Sequence, residues 1–146
     1  MKTLELHPAY APAHEWFGDT CEKAGMQSEA ITQWASALTL SGDPEQARIF
    51  EQTYAAEGFD AAVRAAAQKK LDRLNERAAR GEYISAYHYL MTCVRLGDYK
   101  QAFVWLGKAV DERSWFALET RLNPVLDPLR NDPSFEPLVQ KPWSNR

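Results

Sequence analysis

The chain has 146 residues, of which 45% are hydrophobic, 25% charged and 12% aromatic; that is length for one domain with its own core, and too apolar and aromatic for a disordered chain. A net charge of -3 and a pI near 5.6 supply no attraction to polyanions, so nucleic acid and anionic membrane are not expected partners. No apolar run approaches the ~20 residues of a membrane-spanning helix. The opening MKTLELHPAY lacks the apolar centre of a signal peptide, and a cytoplasmic setting is expected.

The first predicted unit covers about residues 11–42. An apolar helix face ends at Gly25, a second helix starts near Ser28, and Gly42 breaks it. Gly18 and Ala30 stand where these two helices must approach closely, and larger side chains there would force them apart. The next unit, about 44–80, opens with a strong helix start: Asp43 as cap, Pro44 at the first helical position, and Gln46 three residues after the cap. Gly58 is expected to separate that helix from a longer one, Asp60 to about Arg80. On the longer helix Val63, Ala67, Leu71, Leu74 and Ala78 form one apolar stripe. Lys69, Arg73, Arg77 and Arg80 lie roughly opposite it as a solvated basic face, diluted by Asp72 and Glu76.

The third unit covers about 83–113, with its turn at Gly97-Asp98-Tyr99. It repeats the first at an offset of 72 positions: Cys21, Gly25, Ala30 and Ala37 return as Cys93, Gly97, Ala102 and Ala109. Phe17, Ile31, Trp34 and Leu38 answer in the same register to Tyr89, Phe103, Leu106 and Val110. Self-similarity with this period marks a stack of helical hairpins. Both cysteines fall on the packing seam and read as small core residues, neither a metal pattern nor a redox pair. After Ser114 the chain is punctuated by Pro124, Pro128, Pro133, Pro137 and Pro142, which exclude long helices. Asp127-Pro128 and Asp132-Pro133 each read as a cap followed by a first helical residue, so residues 114–146 are expected to fold back as a helical cap on the last hairpin.

The alternation of large and small residues, His14-x-x-Phe17-Gly18-x-x-Cys21 followed by Ala30-x-x-x-Trp34 and Ala37, resembles the tetratricopeptide repeat family over about Leu4 to Arg113. The ending Leu122-Asn123-Pro124-Val125-Leu126-Asp127-Pro128-Leu129-Arg130-Asn131-Asp132-Pro133-Ser134-Phe135, preceded by Gly97-Asp98 and Glu112-Arg113-Ser114, is similar to the terminal segment of repeat domains attached to bacterial winged-helix regulators, adenylate cyclases and protein kinases. The resemblance implies an all-α solenoid of about three hairpins in a single domain over residues 1–146. It further implies a bacterial, non-enzymatic scaffold that holds a peptide or helix in a concave groove. By the family's use of the inner face of each first helix, Trp16, Asp19, Arg48, Gln52, Tyr87, His88 and Met91 become the candidate partner-binding residues. The alternative is a signal-input domain, with Tyr87, His88, Met91 and Arg48 lining a small-ligand pocket. Leu4 to Pro8 resembles the closing stretch of a preceding repeat, so the chain is expected to begin in mid-repeat, and its uncapped N-terminal face suits a homodimer.

Chemical motifs are sparse. His14-Glu15 opens like a zinc-protease helix, but Gly18 stands where the second ligand belongs. No carboxylate pair is tied to a nucleophile or a second histidine. Neither catalysis, nor a cofactor, nor a metal is expected. Among the tryptophans, Trp34 and Trp105 follow the packing register, whereas Trp16 and Trp143 are expected at the surface, where an indole suits an interface.

Overall fold

The computed structural model describes residues 8–112 and 123–140, and the regular structure among them is helical without a strand. Six longer helices run in order: α1 (Ala11–Lys23), α2 (Gln27–Leu40), α3 (Pro44–Glu57), α4 (Phe59–Ala79), α5 (Ala86–Leu96) and α6 (Tyr99–Asp111). A 3-10 turn at Pro124–Leu126 then leads into the short helices α7 (Asp127–Arg130) and α8 (Phe135–Gln140). The all-α class expected from the sequence is what the chain adopts. Two compact units divide it, Met1–Ala66 and Ala67–Arg146, with the division inside α4.

In the N-terminal unit α2 packs against both α1 and α3. Gly18 is required to be small, although the neighbour that requires it is not Ala30: a Cβ on Gly18 would lie 2.5 Å from the Trp34 ring. Ile31, Ala35, Ala47, Phe50 and Ala62 form the buried cluster of this unit, with Trp34, Leu38, Tyr54, Phe59 and Ala66 packed around it. Trp34 lies 6.2 Å from both Phe50 and Phe59, so one indole on α2 meets residues of α1, α3 and α4.

The α3–α4 pair departs from the expected hairpin. The backbones of α3 and α4 do not run closely together as those of α1 and α2 do. Only Gly58 lies between the two helices, whereas an antiparallel return takes a loop of about 2–5 residues. The expected stripe on α4 is only partly covered: Ala67 and Leu74 are buried, Val63 and Leu71 half-buried, and Ala78 exposed. Lys69, Arg73, Arg77 and Arg80 are all exposed, as a solvated face requires.

In the C-terminal unit α5 and α6 pair closely, and α8 returns onto α6. Leu90, Cys93, Val94, Ala102, Leu106 and Val110 from the hairpin share one core with Leu126, Leu129, Phe135 and Val139 from the proline-rich ending. The expected cap therefore covers the last hairpin over 123–140. Its details differ from the sequence reading. Asp127 does not cap but lies inside α7, its carboxylate paired with Arg130, and the cap of the preceding turn is Asn123, whose side chain accepts from the Val125 amide at 3.1 Å. Asp132 accepts from the Ser134 amide at 2.8 Å, and α8 begins only at Phe135. Pro-containing turns place the capping oxygen by local geometry, which a dipeptide pattern resolves only to within a residue or two. Trp115 and Phe116, which the sequence leads one to expect at the head of a short helix, lie outside the described residues, as do Pro142 and Trp143.

The 72-residue register is repeated in backbone detail. Gly25 and Gly97 have φ of 75° and 77°, a left-handed conformation that favours glycine. The amide following each reaches back to the equivalent cysteine carbonyl, Met26 to Cys21 at 2.8 Å and Asp98 to Cys93 at 3.0 Å. Ala30 and Ala102 are fully buried, and both cysteines are buried free thiols. Burial pushes each thiol above its ordinary range, helped by Glu29 for Cys21 and Asp98 for Cys93, which leaves them inert packing groups.

Candidate functional site

The seven candidate residues divide between the two units. Trp16, Asp19, Arg48 and Gln52 belong to the first, and Tyr87, His88 and Met91 to the second.

On α1, Trp16 is 58% exposed and meets Tyr10 edge to face, with centroids 6.3 Å apart and rings at 77°. Tyr10 is itself exposed and stands at the N-cap of α1, so the two rings make an aromatic ledge at the start of the helix. Asp19, one turn further on, faces inward instead. Its carboxylate accepts the Trp34 indole N–H at 3.0 Å, and this fixes the indole over Gly18. Asp19 is therefore a packing anchor.

On α3, Arg48 is exposed and held on its own helix. Its Nε donates to Glu45 Oε2 at 3.1 Å, a second nitrogen donates to Glu45 Oε1, and Nη1 donates to Gln52 Oε1 at 3.2 Å. Bonding to Glu45 raises the guanidinium pKa above its ordinary value. Arg48 and Gln52 thus form one preorganised polar strip, Glu45–Arg48–Gln52, at the expected one-turn spacings.

In the second unit Tyr87 is buried, and its hydroxyl accepts from Asn123 Nδ2 at 3.2 Å. Its ring is part of the hairpin core, against which Met91 is packed. The ending of the chain thus occupies the surface that the sequence reading left open at Tyr87. His88 points outward. Desolvation by the surrounding protein, and then the charges of Lys70 and Arg77 on α4, lower its pKa below the ordinary 6.5.

A second feature was not legible in the sequence. An open hollow of about 350 Å³ lies among α1, α2 and α3, lined among others by His14, Ser36, Thr39, Leu40, Ala47 and Glu51. Its hydroxyls are spoken for: Ser36 donates to Thr32 O at 2.9 Å and Thr39 to Ala35 O at 3.0 Å. His14 bridges α2 and the entry to α1, with Nδ1 2.7 Å from Gln33 Oε1 and Nε2 3.0 Å from the Pro8 carbonyl. Only the helical spacing of His14 hinted that it would turn toward α2; Gln33 gave no signal.

Glu112, from the Glu-Arg-Ser stretch, has a structural post. Its carboxylate accepts from the Ala86 amide at 3.2 Å and from the Ser85 hydroxyl at 3.3 Å, closing the end of α6 onto the start of α5. Desolvation, and next this carboxylate, push the phenol of the exposed Tyr83 upward. Among the described residues no three His, Cys, Asp or Glu side chains gather as a metal site, and no helix is long and apolar enough to cross a membrane. Comparison of the chain with protein-family models, with curated proteins and with solved structures finds no match.

Proposed function

We propose that this chain is a non-enzymatic interaction module of tetratricopeptide type, whose helical hairpins present a surface for a peptide or helix of a protein partner. The observation that carries the reading is the exposed Tyr10–Trp16 pair on α1. Two large aromatic rings held against each other in water offer contact area with little rotamer entropy left to lose, which is the character of an interface anchor. The Glu45–Arg48–Gln52 strip on α3 adds hydrogen-bonding groups already fixed in place, a polar complement to the aromatic pair in the same unit. The 72-residue register and its shared turn geometry support the repeat architecture on which the reading rests.

The test is selection from a random peptide library with the chain as bait, followed by calorimetry on the selected peptides. Binding to the wild type at micromolar Kd, weakened at least tenfold by Trp16→Ala with an unchanged circular dichroism spectrum, is the expected outcome. Peptides that bind both proteins equally would remove the aromatic pair from the reading. Failure to select any peptide would remove the peptide-binding role.

A further inference from the structure

His14 lies between two groups that only accept. Gln33 Nε2 donates to Glu29 Oε1 at 2.6 Å, and a carboxylate takes an N–H and offers none. That contact fixes the amide with its oxygen turned to His14 Nδ1, 2.7 Å away. The other ring nitrogen, Nε2, faces the Pro8 carbonyl at 3.0 Å, also an acceptor only. A neutral imidazole carries one N–H and an imidazolium two, so the neutral ring satisfies one of these contacts and the protonated ring both.

We propose that His14 is a proton-dependent latch, which ties the Pro8–Tyr10 entry segment to the α1–α2 hairpin when the ring is protonated and releases Pro8 when the ring is neutral. Glu29 makes the two contacts compete, because it holds the Gln33 amide with its oxygen toward the ring, and the distances set the order of release. The Gln33 contact at 2.7 Å is shorter than the Pro8 contact at 3.0 Å, so the single proton of the neutral ring stays on Nδ1, and the Pro8 contact is the one that is lost. Among the described residues, the charged or titratable groups that face the ring or neighbour it in sequence are Glu29, reached through Gln33 on α2, Glu51, which lines the same hollow from α3, Glu15 next to it in α1, and Tyr10 in the entry segment. Tyr10 follows Pro8 by two residues and carries the ring that meets Trp16, so the latch governs how firmly the aromatic ledge is held. The latch stands whether or not the ledge binds a partner.

Nuclear magnetic resonance on the isotopically labelled full chain tests this, with His7→Gln in every sample so that the neighbouring imidazole does not act on Pro8. Two readouts are expected as the pH is varied. The Pro8 carbonyl resonance moves with the same midpoint as the His14 ring, and the 15N shifts of the neutral ring place its proton on Nδ1. In Gln33→Leu the neutral ring is free to keep its proton on Nε2, and the Pro8 response is lost while His14 still titrates. A Pro8 resonance that ignores the titration of His14, or a neutral wild-type ring with its proton on Nε2, overturns the latch, and so does a Pro8 response that survives Gln33→Leu.

Discussion

At the scale of single residues, Gly18 and Trp34 show how one side chain decides the meaning of another. A methyl on Gly18 would meet the Trp34 ring at 2.5 Å, and overpacking of this kind costs about 1–3 kcal/mol. The helical preference for Ala over Gly returns roughly 0.5–1 kcal/mol, so the clash wins. Gly18→Ala is expected to lower stability in urea denaturation, and the sign is expected to reverse in a Trp34→Ala background, where only the helical preference remains. The need for a small residue at position 18 was legible in the sequence. Its cause was not, because the pattern pointed to Ala30, whereas the neighbour is an indole held by a bond to Asp19 and by packing on Phe50 and Phe59.

His88 gives the second residue-scale expectation. Its pKa is lowered in the folded chain, so the unfolded state binds a proton more readily and stability falls on acidification. This contribution is fully present above the ordinary value of 6.5 and is lost as the pH falls through the lowered, folded value. Urea midpoints measured from pH 7.5 downward should therefore drop less steeply in His88→Gln than in the wild type. Equal slopes would show that folding does not lower the His88 pKa, by desolvation or by the charges of Lys70 and Arg77.

At the scale of elements, capping separates what is local from what is not. Asp43 and Asp98 each accept from the amide three residues on, Gln46 and Gln101, both at 3.1 Å. These contacts lie within four residues of chain; α3 begins where the sequence places it, and α6 begins at Tyr99, the last residue of the expected turn. The start of α5 is different. Ser85 is its own cap, but Glu112, at the far end of the hairpin, also accepts from the Ala86 amide. A carboxylate at a helix N-terminus meets both an unpaired donor and the positive end of the helix dipole. Glu112→Ala should cost about 1–2 kcal/mol, more than Ser85→Gly, and fluorescence-monitored urea unfolding measures the difference. Glu112 was noticed in the sequence only as part of a resemblance, since its partner lies 26 residues away.

At the scale of the whole molecule, each unit has its own buried cluster, and the ending of the chain is core to the second. Leu126 and Leu129 are fully buried, and Phe135 and Val139 nearly so, against the α5–α6 hairpin. Truncating a buried aromatic costs about 3–5 kcal/mol, a large part of the stability of a small domain. Phe135→Ala should therefore unfold the second unit at markedly lower urea, with the near-ultraviolet dichroism of its aromatic residues as the readout. A loss under 1 kcal/mol would mean that the ending rests on the hairpin without completing its core.

The sequence by itself determined the all-helical class, the limits of α1 to α4 within a residue or two, the glycine turns and the register between α1–α2 and α5–α6. All of these rest on periodicity, capping and backbone freedom within a few residues of chain, where the physical causes sit next to one another. Tertiary structure alone decided that Tyr87 belongs to a core with Asn123 over its hydroxyl, that Asp19 serves Trp34, that α3 packs with α2 more closely than with α4, and that His14 bridges two acceptors. Those outcomes depend on which side chains meet across long stretches of chain. One helix face can satisfy the same apolar pattern against several neighbours, and only the packed fold selects among them.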